Sequence, residues 1–182
     1  MRVAALVMAL LAGPAAADGF PAPVGGAFAL VDQHGRARSE RDPQGRMQLV
    51  FFGYASCQQI CSVALPAMAE AAALAAEAGV ALVPVLITVD PDRDSPAALA
   101  AALEPLHPDF LGLTGTEAAL ASARAAFGVA REVLFSDVTG PIYAHGSFLY
   151  LLDPDGRVLS ILPPILAPAR IVAIAQARAP GG

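Results

Sequence analysis

An apolar run leads directly into the chain's only two cysteines, in the order Gln48-Leu49-Val50-Phe51-Phe52-Gly53-Tyr54-Ala55-Ser56-Cys57-Gln58-Gln59-Ile60-Cys61. A short continuous apolar run of this kind is expected of a strand that is buried on both faces of a sheet. From about Cys57 to Ala78 the Ala, Leu, Met and Glu content predicts a helix, which Gly79 ends. A buried strand that runs into a helix indicates an α/β domain.

The two cysteines are four residues apart, and this spacing is compatible with a redox pair or with a metal site. On one helix such residues have Cβ atoms roughly 5–6 Å apart, whereas a disulfide requires a Cβ separation of roughly 3.8 Å. Metal–thiolate bonds of roughly 2.3 Å, with zinc as the guide, relax this requirement. The spacing therefore allows a disulfide only with local distortion, and it leaves open which third group faces the pair.

Strands and helices alternate along the rest of the chain. Ser95-Pro96 has the form of a helix start, with Ser as the N-cap and Pro as the first helical residue. Asp153-Pro154-Asp155-Gly156 is a strong turn before a further strand. The order predicts a three-layer α/β/α fold with a mixed central sheet and an N-terminal hairpin. Besides 48–53 and the first helix, we predict strands at 27–32, 80–89, 110–113, 129–135, 147–152 and 157–162, and helices at 96–103, 116–127 and 168–178.

The N-terminus has the three parts of a secretory signal peptide, namely a charged Arg2, an apolar run over residues 3–12 and small residues up to Ala17. We expect cleavage after Ala17, with residues 18–182 forming one domain. The apolar run is shorter than the roughly 20 residues that span a bilayer. We therefore expect a periplasmic protein that does not span the membrane after cleavage.

The charged residues argue against nucleic acid as a partner. The chain has 11 basic side chains against 16 acidic ones, a formal net charge of −5, and every basic residue is an arginine. The arginines are not clustered and do not alternate with aromatic residues, as they would in a nucleic-acid-binding surface. In an oxidising compartment two unaided cysteines tend to form a disulfide, so thiols that must stay reduced for a metal imply a partner reductase.

Four motifs in this order resemble the Sco/SenC/PrrC family: the cysteine motif, then TVDPDRDSP at residues 88–96, GLTGT at 112–116 and HGSFLYLLDPDG at 145–156. The resemblance implies a thioredoxin-like fold. It implies that Cys57, Cys61 and His145 bind copper, as Cu(I) and also as Cu(II), for delivery to the dinuclear copper site of cytochrome c oxidase. The implied partners are the copper-binding subunit of the oxidase, another periplasmic copper chaperone and a thiol reductase.

The chemistry of the three residues also supports this ligand set, though less specifically than the resemblance does. Two soft thiolates and one imidazole suit Cu(I), which accepts few ligands, better than structural Zn(II), which would require a fourth protein ligand. His145 precedes an apolar strand, at a position where the resemblance to thioredoxin-like reductases predicts a proline facing the thiols. A coordinating side chain at this position favours metal handling over general disulfide exchange.

Asp90, Asp92 and Asp94 alternate in the way that the ligands of an EF-hand loop do. In that frame Ser95 stands where the loop's glycine belongs, and Ala101 stands where its bidentate Glu belongs. We therefore do not expect calcium. A supporting or docking role for Asp90 or Asp94 stays open, because the resemblance places this loop near the copper site.

The chain departs from the family pattern around both ligand groups. Relatives commonly have Cys-Pro-acid-x-Cys-Pro, whereas this chain has Gln58 and Gln59 after the first cysteine and Ser62 after the second. Loss of the acid beside the thiols is expected to ease thiolate formation. Ala144 stands where relatives often have an Asp before the histidine, so a carboxylate that could orient the imidazole is lost.

Two other functions use the same residues. In a thiol–disulfide reductase, Cys57 is expected to have the lower pKa because it lies nearer the helix N-terminus, to attack first, and to be resolved by Cys61. Most members of the family that the chain resembles are tethered by an N-terminal membrane helix, and we expect this chain to be cleaved free instead. In a redox or copper sensor, the same cysteines report to a signalling partner, and the lost acids and the expected loss of the anchor favour this function.

Overall fold

The computed structural model describes residues 24–138, 140–146 and 148–179. The predicted signal peptide, residues 1–17, lies outside the described residues, and so does the start of the predicted domain at residue 18. The strands are β1 (Leu30–Asp32), β2 (Ala37–Arg38), β3 (Met47–Gly53), β4 (Leu82–Thr88), β5 (Leu111–Thr114), β6 (Arg131–Asp137), β7 (Gly140–His145), β8 (Leu149–Leu152) and β9 (Val158–Leu162), and the helices are α1 (Cys61–Glu77), α2 (Pro96–Leu103), α3 (Glu117–Ala126) and α4 (Pro168–Arg178).

Seven of these strands form one mixed sheet in the order β2-β1-β5-β4-β3-β8-β9. The neighbours β3, β4 and β5 are parallel, whereas β1, β8 and β9 pair antiparallel with their neighbours. β1 and β2 form the predicted N-terminal hairpin. The predicted α/β fold with a mixed sheet is therefore confirmed.

The central strands are buried because both of their faces are covered. Every residue of β3 and of β4 is buried, as the continuous apolar runs predict. α1 packs against α4 and contacts β4, while α2 packs against β5. This core fixes the carboxyl end of β3, where the cysteine segment begins.

The starts of α2 and α3 are capped by side chains, and Ser95 is the N-cap that the sequence predicts. The Ser95 hydroxyl accepts a hydrogen bond from the N–H of Ala98, and Thr116 does the same for Ala119, each at 3.2 Å. Both are N-caps of the expected kind. Along the described part of the chain, none of the helices combines the length and the apolar character needed to cross a bilayer.

Two predictions from the sequence are wrong in detail. α1 begins at Cys61, not at Cys57, so the two cysteines do not share a helix face and the spacing argument based on one helix does not apply. β7 was not predicted at all, because its Gly140-Pro141 start lacks the pattern of a strand. His145 is consequently the last residue of a strand.

β6 and β7 form a separate two-stranded sheet, and we call residues 131–137 and 140–145 the hairpin. The register pairs Arg131 with His145 and Asp137 with Gly140. β6 projects from the body, since Val133, Leu134 and Phe135 are 59%, 56% and 56% exposed. The hairpin carries His145 at the end of its more buried strand.

Candidate metal centre

Three side chains from separate parts of the chain meet at one end of the sheet. Cys57 lies in the loop between β3 and α1, Cys61 is the first residue of α1, and His145 is the last residue of β7. The two sulfurs and a ring nitrogen lie within 4.8 Å of one another. Both cysteines are free thiols, and both are buried.

The loop that carries Cys57 is held by a carboxylate from the segment between β4 and α2. The N–H of Ala55 donates to both carboxylate oxygens of Asp94, at 3.1 and 3.3 Å. Asp94 also accepts from the hydroxyl of Thr88 at 2.6 Å, and the N–H of Cys57 donates to the carbonyl of Tyr54 at 3.1 Å. The bonds to Asp94 tie the start of this loop to the segment between β4 and α2.

Gly53 leaves the space that the Cys61 sulfur occupies. A Cβ at this glycine would lie 2.9 Å from Sγ of Cys61 and 2.8 Å from Cε1 of Phe51. Contacts this short force a displacement of the neighbours. The glycine at the end of β3 is therefore a condition for the position of Cys61.

The imidazole of His145 is oriented by a carbonyl and by two aromatic rings. Nδ1 lies 3.1 Å from the carbonyl oxygen of Gly146, which assigns the proton to Nδ1 and leaves a lone pair on Nε2. Nε2 lies 3.8 Å from Sγ of Cys61. The rings of Phe51 and Tyr54 contact the imidazole edge to face, each with centroids 5.8 Å away. The carbonyl of Gly146 thus orients the imidazole by accepting from it, a role that the side chain of Ala144 cannot fill.

The environment of the two thiols separates their acidities. A hydrogen bond from the Cys61 thiol lowers the pKa of Cys57; burial opposes this, while the N–H groups of Cys61 and Gln59 add to it. Donation to Cys57 and burial raise the pKa of Cys61. Cys57 is therefore the more acidic thiol of the pair.

This ordering was expected, but its cause differs from the expected one. Cys57 is not part of α1, and its pKa is lowered by the thiol and the N–H groups of residues in the loop and at the start of the helix. Burial and the nearby charge of Cys57 also raise the pKa of Tyr54 to about 12. The Tyr54 phenol therefore stays neutral beside the thiolate.

The other residues noted in the sequence lie around this centre in different ways. Gln58, Gln59 and Ser62 are exposed on its rim. Asp92 is exposed whereas Asp90 and Asp94 are buried. Sequence reasoning missed the contributions of Gly53 and Phe51, whose only sequence signal is their place in the run before the cysteines.

The donor set fits a soft metal ion with few ligands. Metal–sulfur bonds of roughly 2.3 Å and metal–nitrogen bonds of roughly 2.0–2.1 Å, with zinc as the guide, bring two ligand atoms to within about 4.5 Å. The observed separations of up to 4.8 Å are close to this limit. Thiolate and imidazole ligands suit copper, and the described residues contribute no fourth His, Cys, Asp or Glu to the group.

Comparison with known proteins identifies the family. The SCO1/SenC family model matches residues 16–179, nearly the whole chain. The chain belongs to the SCO1/SenC family. A SCO2-like protein of Rickettsia conorii is 37% identical over 138 residues, which is 75% of this chain and 67% of the relative. The mitochondrial SCO2 homologue of Homo sapiens is 40% identical over 134 residues, which is 72% of this chain and 50% of the relative.

Solved structures of Sco proteins have the same fold. Arabidopsis thaliana ScoI with copper bound superposes with a TM-score of 0.79 at 25% identity, over 85% of this chain and 98% of that one. Yeast Sco1 with copper bound superposes with a TM-score of 0.74 at 30% identity, over 88% of this chain and 92% of that one. The resemblance to Sco/SenC proteins and to their thioredoxin-like fold is therefore confirmed.

Proposed function

We propose that this SCO1/SenC protein is a copper metallochaperone that delivers copper to the dinuclear copper site of cytochrome c oxidase. The observation that carries the proposal is the convergence of Cys57, Cys61 and His145 within 4.8 Å of one another. The copper-bound structures of the plant and yeast Sco proteins support the choice of metal. Copper is the cargo in this function, and the chain supplies only its ligands.

The chemistry of the three side chains favours Cu(I) as one cargo state, with Cu(II) as a second. Thiolates are soft ligands, and Cu(I) is stable with few of them. Metal binding requires both thiols to lose their protons, and the lowered pKa of Cys57 makes this loss easier at Cys57 than at Cys61. The lone pair on Nε2 of His145 faces the cysteine pair and completes the set.

We propose that the receiving partner is the copper-binding subunit of the oxidase, and that another periplasmic copper chaperone and a thiol reductase load and reset the site. Transfer between proteins requires that the partner's ligands reach the copper. Exposed apolar residues near the ligands in the chain suit such contact. Val63 follows Cys61 by two residues and Phe148 follows His145 by three, and each is 52% exposed. Strand β6 of the hairpin is exposed and apolar as well. The proposed compartment is the periplasm.

One observation also favours a thiol–disulfide reductase as a second candidate. The low-pKa Cys57 is 8% exposed, whereas Cys61 is fully buried. The Cys57 thiolate would attack a partner disulfide and form a mixed disulfide, and Cys61 would then displace the partner's thiol and leave a Cys57–Cys61 disulfide. A reductase would return the pair to the dithiol.

A transfer assay tests the proposed function. The reduced, Cu(I)-loaded protein is mixed with the reduced, metal-free copper-binding domain of the oxidase subunit, and copper on each is measured after separation. Transfer from the wild type but not from Cys57→Ser/Cys61→Ser supports the chaperone. The metal-free protein is also mixed with the oxidised domain. If copper stays on the donor in the first mixture and the domain's disulfide is reduced to thiols in the second, the reductase function replaces the proposal.

A further inference from the structure

Arg93, in the segment between β4 and α2, connects this segment to the hairpin. Its Nε donates to a carboxylate oxygen of Asp90, three residues before it. Its Nη2 donates to the carbonyl oxygen of Pro141, the second residue of β7. The pair of bonds joins the body of the protein to the strand that ends at His145.

The partner of Arg93 inside the body is firmly placed. Asp90 is fully buried, and its N–H donates to the hydroxyl of Thr88 at 2.9 Å. One carboxylate oxygen of Asp90 binds Arg93, and the other has no hydrogen-bond partner among the described residues. A buried carboxylate requires compensation of its charge, so Asp90 holds the guanidinium in one position.

The hairpin is shaped to receive this guanidinium. Gly140 has φ +115°, and a Cβ at this position would lie 3.1 Å from Nη1 of Arg93. The guanidinium also lies over the ring of Tyr54, 5.5 Å from its centroid. The Tyr54 ring in turn contacts the rings of Tyr143 and His145, each at 5.8 Å. Arg93 thus contacts the hairpin backbone directly and reaches His145 through a single ring.

An isolated two-stranded sheet is marginally stable in water, and the described strands of the hairpin pair only with each other. The position of β7 relative to the cysteines therefore depends on side-chain contacts with the body. We propose that Arg93 is a positioning residue that latches the hairpin to the β4–α2 segment and so holds His145 over the cysteine pair. Its relevance to copper rests on the proposed function, whereas the latch itself does not require metal.

The latch is tested first on the reduced, metal-free protein by hydrogen exchange with mass spectrometry. In Arg93→Met, amides of residues 131–146 are expected to exchange roughly tenfold faster, while those of β3 and β4 keep their protection. Because this variant leaves Asp90 buried without its partner, the double variant Asp90→Asn/Arg93→Met is measured beside it. The double variant removes the charge of both partners, so it is expected to fold and still to lose the hairpin's protection.

Arg38→Met is the matched control, since Arg38 binds Asp32 at 2.8 Å and both side chains are largely buried. Arg38 lies on the edge strand β2, four strands away from β3 in the sheet. The Arg38→Met variant is expected to leave the amide exchange of residues 131–146 and the affinity for copper unchanged. Arg93→Lys retains a cation for Asp90 but cannot span both acceptors, so it is expected to restore hairpin protection only in part.

Competitive Cu(I) titration supplies the second readout. The Arg93 variants are expected to bind copper roughly 10–100-fold more weakly, as when other residues that orient metal ligands are removed. The latch would be overturned if the folded double variant exchanged the amides of residues 131–146 as slowly as the wild type and bound Cu(I) with the same affinity. Absence of competitive binding by the wild type would instead overturn the proposed function, and the exchange data would still decide the latch.

Discussion

The sulfur of Cys61 lies 3.8 Å from Nε2 of His145, although 84 positions separate the two residues in the chain. The contact depends on the end of β3, the start of α1 and the end of the hairpin, each held by its own neighbours. Changes in those neighbours are therefore expected to alter the site without removing a ligand.

Adding one methyl group to Gly53 is expected to disturb the site. In Gly53→Ala the new Cβ displaces the Cys61 sulfur and the Phe51 ring, which contacts the imidazole. We expect weaker Cu(I) binding together with a stability loss of about 1–3 kcal/mol, as for other overpacked cores. Urea unfolding and competitive copper titration measure the two effects.

Gly112→Ala provides the matched control for that variant. Gly112 is also buried in a parallel strand, and its Cβ would lie 2.7 Å from Cδ1 of Leu103 and 2.9 Å from Cβ of Leu99. It should lose stability without a change in copper affinity. Equal weakening of copper binding by both variants would show that the effect of Gly53→Ala is general and not local.

In the reduced, metal-free protein, Cys57 is expected to react as a thiolate at pH values well below the ordinary thiol pKa of about 8.5. Alkylation by iodoacetamide, followed by mass spectrometry against pH, gives the apparent pKa. Cys61→Ala removes the main donor to Cys57 and should raise this pKa, whereas Cys61→Ser keeps a hydroxyl donor and should raise it less. Identical profiles for the wild type and Cys61→Ala would contradict the assigned hydrogen bond.

Asp94→Ala is expected to loosen the cysteine loop. The change leaves the N–H of Ala55 and the hydroxyl of Thr88 without their acceptor. Buried groups that lose a partner cost about 1–3 kcal/mol each, so we expect a loss of roughly 2–5 kcal/mol in urea unfolding. Asp94→Asn keeps one acceptor oxygen and should lose less. A stability equal to that of the wild type in Asp94→Ala would show that the loop does not depend on this carboxylate.

Asp32 is expected to contribute to unfolding by acid. Burial raises its pKa, but hydrogen bonds from the N–H groups of Arg36 and His34 and from the Arg38 guanidinium outweigh burial and lower it overall. The folded state therefore favours the carboxylate, and its stabilisation is present above the unfolded pKa and is lost as the pH falls through the folded one. The urea midpoint of Asp32→Asn should vary less between about pH 5 and pH 1 than that of the wild type. Parallel curves for the two proteins would contradict this.

Much of the fold follows from local sequence signals, while the geometry of the site does not. The apolar runs of β3 and β4 and the cap Ser95 predict their elements directly. The start of α1 was misplaced because composition around Cys57 does not reveal that Asp94, 39 residues away from Ala55, holds the loop.

The hairpin shows the other limit of sequence reasoning. Its apolar residues 133–135 resemble a buried strand, yet they are more than half exposed because β6 projects from the body. The choice of His145 came from the resemblance of its motif to a family, since a single histidine has no spacing that links it to distant cysteines. Packing of the hairpin against Tyr54 and Arg93 brings it there, and those contacts have no local signature.

Competitive titration of the reduced, metal-free protein with Cu(I) tests the central claim most directly, which is that Cys57, Cys61 and His145 bind one copper ion. Cys57→Ser/Cys61→Ser and His145→Ala are titrated beside the wild type, and His34→Ala serves as an exposed-histidine control. We predict one tightly bound copper per chain in the wild type and in His34→Ala, loss of this binding in the double cysteine variant, and at least about tenfold weaker binding, or about 1.4 kcal/mol, in His145→Ala. Stoichiometric binding that survives in the double cysteine variant, or no competitive binding by the wild type, would contradict the claim.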